Sequence, residues 1–279
     1  MADLSYPTET VGDYTIIAVS DGYLTAGLDL LQNIDPDEAL ALQHRDGLDA
    51  RSPMHINSYL LRSADHAVLV DAGAGGVKHW GGNLPASLPL AGVQPSDVDT
   101  ILLTHAHPDH IGGLVDASGR AVFANAEVLV HGRELAFWQD DANLARASER
   151  ARGNFQIART ALDVYASRLR AIREGDVLPG ISAVSLPGHT DGHTGYLINS
   201  TDGGLLFWGD TVHFPTIQVS RPDASVALDN DPIRAAETRT RVFDLVSSEH
   251  LLVAGAHLNE RGFARVEQLH GNYSLTAAS

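Results

Sequence analysis

The stretch Leu102–Gly113 reads "LLTHAHPDHIGG" and puts three histidines and an aspartate, His105, His107, Asp109 and His110, into six positions. An apolar run, "TILLT" at 100–104, leads straight into it. In an extended segment His105 and His107 point to the same side, because side chains alternate with a period of two. Pro108 suits the first turn of a helix, so Asp109 and His110 leave the chain in another direction. One hexapeptide can then serve two cations, one from the extended arm and one from the helix start. With histidine at about one residue in twenty, such a string arises by chance in roughly one chain of this size in several hundred.

Other apolar runs end in the same kind of residue. "ISAVSLPG" at 181–188 runs into His189, "GLLFWG" at 204–209 into Asp210, and "HLLVAGA" at 250–256 into His257. Loops beyond strand ends are where rigid elements hold reactive groups. Side by side, these four ends would bring seven ligand-type groups to one spot. A single tetrahedral zinc needs only four. Two ions sharing one bridging carboxylate would use all seven.

Composition narrows the classes. The chain has 279 residues, 44% of them hydrophobic, enough for a full core. Its 35 acids against 19 bases give a net charge of −16, which repels phosphate backbones and argues against nucleic acid as a partner. The single lysine, Lys78, reads as a bias of the source genome. There is no cysteine, so disulfides, thiolate nucleophiles and Cys-ligated metals are excluded. The N-terminus has no basic segment followed by a long apolar run, and no stretch reaches the roughly 18 apolar residues that span a membrane. The expectation is a cytoplasmic protein with no membrane partner.

Short β-branched runs bounded by Gly, Asp, Asn or Pro recur at 14–20, 56–63, 66–73, 100–105, 126–131, 181–188, 194–200, 204–210 and 250–257, and read as strands. "DPDEALALQHR" and "DPIRAAETRTRVFDLVSSEH" open with an Asp cap and Pro in the first turn, and read as helices. A long helix is expected within 133–173. The absence of repeats and linkers predicts one domain over 1–279, a layered α/β fold.

The string HxHxDH at 105–110, "PGHTDGH" at 187–193, "GD" at 209–210 and "GAH" at 255–257 resembles the metallo-β-lactamase superfamily, as does "LVDAG" at 69–73. The resemblance implies a four-layer αββα sandwich with metals at one edge. It also implies His105, His107 and His189 on one ion, Asp109, His110 and His257 on the other, and Asp210 bridging. Asp71 would orient the ligands without being one. The cofactor it implies is two divalent ions per chain, zinc first, with manganese, iron or cobalt as alternatives.

Two ions roughly 3.5–4 Å apart hold a bridging water and lower its pKa, giving a hydroxide nucleophile at neutral pH. Hydrolysis is the reaction class that fits, with Asp109 placed to pass a proton to the leaving group. "AVSDG" at 18–22, "ELAFW" at 134–138, the "GD…H…Q" strand exit, "D-x-DP" at 229–232 and "AHL" at 256–258 are similar to the methyl parathion hydrolase, lactonase and arylesterase branch. That implies a small lactone, aryl ester or organophosphate triester as substrate, and a homodimer. Three departures stand: there is no export signal, residues 140–175 do not match closely, and no tyrosine follows Asp210 as in acyl-homoserine lactonases. A thioesterase of the glyoxalase II kind is the alternative within hydrolases, and an iron-dependent oxidoreductase the alternative outside them.

The remaining histidines divide. His193 is expected to support the ligands, His131 to be structural, and His213 to line the pocket or pack beside it. Trp138, Phe214 and Leu258 are expected as pocket walls. "DAGAGG" at 71–76 lacks the lysine and spacing of a phosphate loop and reads as a flexible turn.

Overall fold

Alternation along the apolar runs sorts this chain into layers. The computed structural model describes residues 6–200 and 203–278. One seven-stranded sheet runs in the order β1 (Thr8–Val11), β2 (Tyr14–Thr25), β4 (Pro53–Arg62), β5 (Ala67–Val70), β6 (Thr100–Leu102), β7 (Glu127–His131), β8 (Leu169–Ile172). The second runs β16 (Asn272–Ala277), β15 (Phe263–Leu269), β14 (Leu252–Ala254), β12 (Gly203–Phe207), β11 (Thr194–Ser200), β10 (Ile181–Ser185), β9 (Gly175–Leu178). A short pair, β3 (Leu31–Gln32) and β13 (Ser225–Val226), lies outside both.

Ile16, Leu61, Val70 and Leu102 of the first sheet meet Ile198, Leu205, Phe207 and Ala254 of the second in one buried cluster. Their sequence neighbours point outward. Ile17, Leu69 and Ile101 pack with Phe155, Ala158 and Leu162 of the helix Glu149–Val164. Leu206, Val253 and Ala264 pack with Val242, Phe243 and Val246 of the helix Pro232–Ser248. Strands covered on both faces need apolar residues at every position, which is why they read as continuous runs. The result is helix, sheet, sheet, helix: the αββα sandwich.

Both Asp-Pro helix starts form as read. Asp35 Oδ1 accepts from Asp37 N (3.0 Å) and Glu38 N (3.2 Å) at the head of Pro36–Arg45, and Asp231 Oδ1 accepts from Arg234 N (3.1 Å). The span 133–173 differs from expectation. It splits into Gly132–Gln139, Asp141–Arg146 and Glu149–Val164, each opened by its own side-chain cap from His131, Asp140 or Ser148. Its tail, "LRAI" at 169–172, is a strand lying parallel to β7. Pairing along an open sheet edge outweighs helix propensity there.

The loop after β5 is also not a free turn. Asp21 Oδ2 accepts from Ala74 N (2.8 Å), Asp21 Oδ1 from Leu84 N (2.8 Å), and Gly113 N donates to Gly73 O (2.9 Å). A Cβ on Gly113 would sit 2.0 Å from Ala72 O, so the "IGG" of the opening stretch lets two backbones touch. Among the described residues no helix is long and apolar enough to cross a membrane.

Candidate metal centre

Strands from both sheets end at one edge and deliver the predicted residues there. β6 feeds His105 and His107, and Pro108 opens the short helix Pro108–Ile111 that carries Asp109 and His110. β10, β12 and β14 lead to His189, Asp210 and His257. The structure brings all seven together in two sets. His105, His107, His189 and Asp210 form one, and Asp109, His110, Asp210 and His257 the other, each with one ligand atom per residue within 4.8 Å of the rest.

The outer nitrogen of four of the five imidazoles is committed elsewhere. His110 Nδ1 donates to Asp71 Oδ2 (2.8 Å), His189 Nδ1 to Asp229 Oδ1 (2.8 Å), and His257 Nδ1 to the His55 carbonyl (2.8 Å). His105 Nδ1 meets Thr104 Oγ1 at 3.0 Å, and that hydroxyl donates to Asp71 Oδ2 (2.8 Å). These bonds fix the tautomer and leave each Nε2 lone pair facing inward. His107 presents Nδ1 instead, 3.0 Å from His105 Nε2 and 2.8 Å from His189 Nε2. His110 Nε2 and Asp210 Oδ1 lie 3.1 Å apart, both buried, and neither makes an aligned hydrogen bond. Converging lone pairs and an orphaned carboxylate oxygen are a donor set for cations. Nitrogen and oxygen donors without sulfur suit zinc, manganese, iron or cobalt.

Electrostatics point the same way. Burial, then the charge of His110, hold His105 well below the usual histidine range, and burial and His189 do the same to His107. Both stay neutral. His110 is the exception: burial lowers it, but Asp210, Asp71 and Asp109 together raise it well above the usual range. His257 is raised likewise, chiefly by Asp210 against burial. Burial alone would raise Asp210, yet His110, His257 and His213 hold it well below the usual carboxylate range. The carboxylates draw positive charge to this spot, and a metal entering it displaces protons.

A pH prediction follows for the metal-free chain. His105, His107, His193 and His213 are all lowered by burial, so below pH about 6.5 the unfolded chain takes up protons that the folded one refuses. Each group then removes about 1.4 kcal/mol of stability per pH unit until its folded pKa is reached. His110 and His257 are raised, so their contribution is full below about 6.5 and lost as pH climbs through their folded values. Denaturation midpoints of chelator-treated protein should therefore peak near neutrality and fall more steeply on the acid side. Flat midpoints from pH 5 to 7 would contradict the buried neutral histidines.

The supporting residues are partly those expected. Asp71, at the end of β5 with φ +58°, holds Thr104 and His110. His193 accepts from Asp210 N (3.0 Å) at Nε2 and donates from Nδ1 to Leu186 O (2.8 Å), so it positions the Asp210 backbone. His131 caps a helix through Arg133 N (3.2 Å), away from the two sets. Two residues were not singled out. Asp229, inside the "D-x-DP" string, braces His189. Glu134, in "ELAFW", is fully buried and accepts from Ala106 N (3.0 Å), Trp138 Nε1 (2.7 Å) and Thr190 Oγ1 (2.6 Å). It ties the His105–His107 segment to the one carrying His189. Nothing in the sequence separates it from an ordinary helical glutamate, because only its burial under three donors marks it.

A small cavity of about 60 Å³ opens onto the cluster. His107, Asp109, Asp210, His213 and His257 floor it; Leu24, Ala26, Leu30, Phe214, Val226 and Leu228 wall it. His213 and Phe214 thus line the cavity. His213 Nε2 is 3.1 Å from Asp210 Oδ2, and neither ring nitrogen makes an aligned hydrogen bond. Trp138 and Leu258 are corrections. Trp138 sits behind His107, ring centroids 5.6 Å apart, turned into the core by its bond to Glu134. Leu258 packs with Trp208 and Val253 under the second sheet.

Comparison with known proteins adds the family. Residues 51–257 match the model of the metallo-beta-lactamase superfamily. A probable metallo-hydrolase, YqgX of Bacillus subtilis (strain 168), is 31% identical over 166 residues, 56% of this chain and 69% of that protein. The uncharacterized protein YobT of the same strain is 27% identical over 155 residues, and this match spans 61% of that protein. A hydroxyacylglutathione hydrolase of Anaeromyxobacter dehalogenans (strain 2CP-C) is 38% identical over 156 residues, covering 54% of this chain and less than half, 46%, of the enzyme. Among solved structures, the hydrolase AbOPH of the beta lactamase superfamily superposes with a TM-score of 0.92 at 29% identity, covering 98% of this chain and 97% of that one. AidC, a dizinc quorum-quenching lactonase, shares the fold at a TM-score of 0.91 and 24% identity, over 99% and 98% of the two chains. By the fold, the two ligand sets and the match over residues 51–257, this chain belongs to the metallo-beta-lactamase superfamily.

Proposed function

We propose that this protein is a dinuclear metal-dependent hydrolase of a small, largely apolar lactone, aryl ester or phosphotriester. The observation that carries this reading is the cavity, whose apolar walls end on a floor made by the two ligand sets. His105, His107 and His189 would hold one ion, Asp109, His110 and His257 the other, and Asp210 both. When bound, such a pair lowers the pKa of a water and polarises the substrate's oxygen. The dizinc lactonase that shares the fold supports zinc as the metal.

The chain's own residues supply the rest. Leu24, Leu30, Phe214 and Val226 exclude bulk water and seat the apolar part of the substrate. Asp109 lies on the cavity floor, where a carboxylate can pass a proton to the departing oxygen. His213 faces the same space with a free nitrogen to hold that oxygen. Neutral imidazole suits this, and burial keeps His213 below the usual range.

The similarity to hydroxyacylglutathione hydrolases favours thioesters as the second reading, on less than half of those enzymes' length. A hydrolysis screen of the zinc-loaded protein separates the two. Lactones, aryl esters, phosphotriesters and thioesters run side by side should give turnover with one or more of the first three. Turnover confined to thioesters would replace the reading, and none with any class would reject it.

A further inference from the structure

The rim of the same cavity carries two cations that an apolar substrate does not need. Lys78, the only lysine in the sequence, and Arg150 both line it. Lys78 Nζ donates to the neutral Asn154 Oδ1 at 2.5 Å and lies 5.1 Å from the centre of the Trp80 ring. Asn154 stands four residues beyond Arg150 on the helix Glu149–Val164, so the two share a face. Among the described residues no carboxylate comes within 4 Å of either cation. Burial and the nearby charge of Arg150 both push Lys78 below its usual pKa, Asp109 opposing them. The backbone here is held against its preference, with Lys78 at φ +55° and His79 at φ +63°, both left-handed. Unneutralised cations near one another, kept at a pocket mouth by strained backbone, are unfavourable unless something anionic arrives between them.

We propose that Lys78 and Arg150 form an anion-binding rim, and that the substrate carries a carboxylate remote from its scissile bond. This rests on reading the cavity as the hydrolytic pocket. The rim also answers a problem of approach, since a chain of net charge −16 repels anions on average. Lys78 keeps two further N–H donors for the carboxylate after its bond to Asn154, and Arg150 offers a planar fork. The apolar body of the substrate then lies along Leu24, Leu30 and Phe214 towards the metal ligands.

The test pairs two esters of the same chain length, 4-nitrophenyl hexanoate and the mono-4-nitrophenyl ester of adipic acid. The wild-type zinc enzyme should show a KM about tenfold lower for the carboxylate-ended ester. Lys78→Met keeps the stem over Trp80 and should abolish that ratio, Lys78→Arg should restore it, and the exposed Arg150→Gln should reduce it. Salt at 1 M, where the Debye length falls to about 3 Å, should erase it too. A second readout needs no turnover: calorimetric binding of hexanesulfonate against the neutral hexyl methyl sulfone on metal-free protein. The sulfonate should bind about tenfold tighter to wild type and equally with the sulfone to Lys78→Met. Equal affinity of both probes for wild type, or a preference untouched by Lys78→Met and Arg150→Gln, overturns the rim while leaving ester hydrolysis standing. A sulfonate preference that depends on Lys78 in a protein that turns over none of the screened classes would keep the rim and reject the hydrolase.

Discussion

Replacing Asp210 with alanine should lower kcat/KM by on the order of 10³-fold or more and strip the protein of most of its metal. Asp210 is the one residue common to both ligand sets. Its Oδ1 lies 3.1 Å from His110 Nε2, and its Oδ2 lies 3.6 Å from His105, 3.4 Å from His189 and 3.4 Å from His257 Nε2. Removing it leaves five imidazoles, counting His213 at 3.1 Å, around a hole with no carboxylate shared between the two sets. Two cations brought into that space would repel with nothing between them, so one or both should be lost. Asp210→Asn keeps the shape and gives up the charge, and should behave nearly as badly. Equilibrium dialysis with zinc, run beside a kcat/KM measurement, checks both halves. Full metal content with full activity in either variant would reject the bridging role.

Asp229→Asn should weaken one metal equivalent by about 10- to 100-fold and leave the other close to wild type. Asp229 Oδ1 accepts from His189 Nδ1, and its Oδ2 accepts from Val226 N at 3.0 Å. Burial would raise its pKa, but the hydrogen bond to His189 holds it below the usual range, so it is a carboxylate that makes the imidazole a stronger donor. An amide cannot do this and can turn its NH₂ towards Nδ1, forcing the wrong tautomer. Because His189 belongs to only one ligand set, the loss should be asymmetric, which a merely loosened fold would not produce. Chelator competition that resolves the two equivalents reads this directly. Equal weakening of both equivalents would place Asp229 in general packing.

Much of this site was legible because its chemistry is local. "HAHPDH" carries four of the seven ligand-type groups in one hexapeptide, and the other three follow apolar runs whose length and boundaries mark strands. Asp71 was readable only through the resemblance of "LVDAG" to the superfamily. What remained hidden depends on burial and on distant chain. Glu134 looks like any helical glutamate until its position under three donors is seen. Lys78 looked like a compositional accident, and only the fold sets it beside Arg150, seventy-two positions away in sequence. The stretch 138–175 includes the residues that match the lactonase and arylesterase branch least. Only Arg150 and Asn154 of it reach the cavity, whose walls come mostly from Leu24–Leu30, Met54 and Val226–Leu228. Those wall residues belong to a fourth cluster, outside the main layers, that packs the segment after β2 against the helix Pro215–Ser220. No single periodicity announces such a cluster, because it gathers strand ends, two helices and the loops between them.

Metal stoichiometry tests the central claim most directly. Protein prepared without chelators and exchanged into metal-free buffer should carry two divalent ions per chain by plasma mass spectrometry. Activity should rise in proportion to the second equivalent as a stripped sample is reloaded. One ion or none per chain in fully active protein would contradict the dinuclear centre.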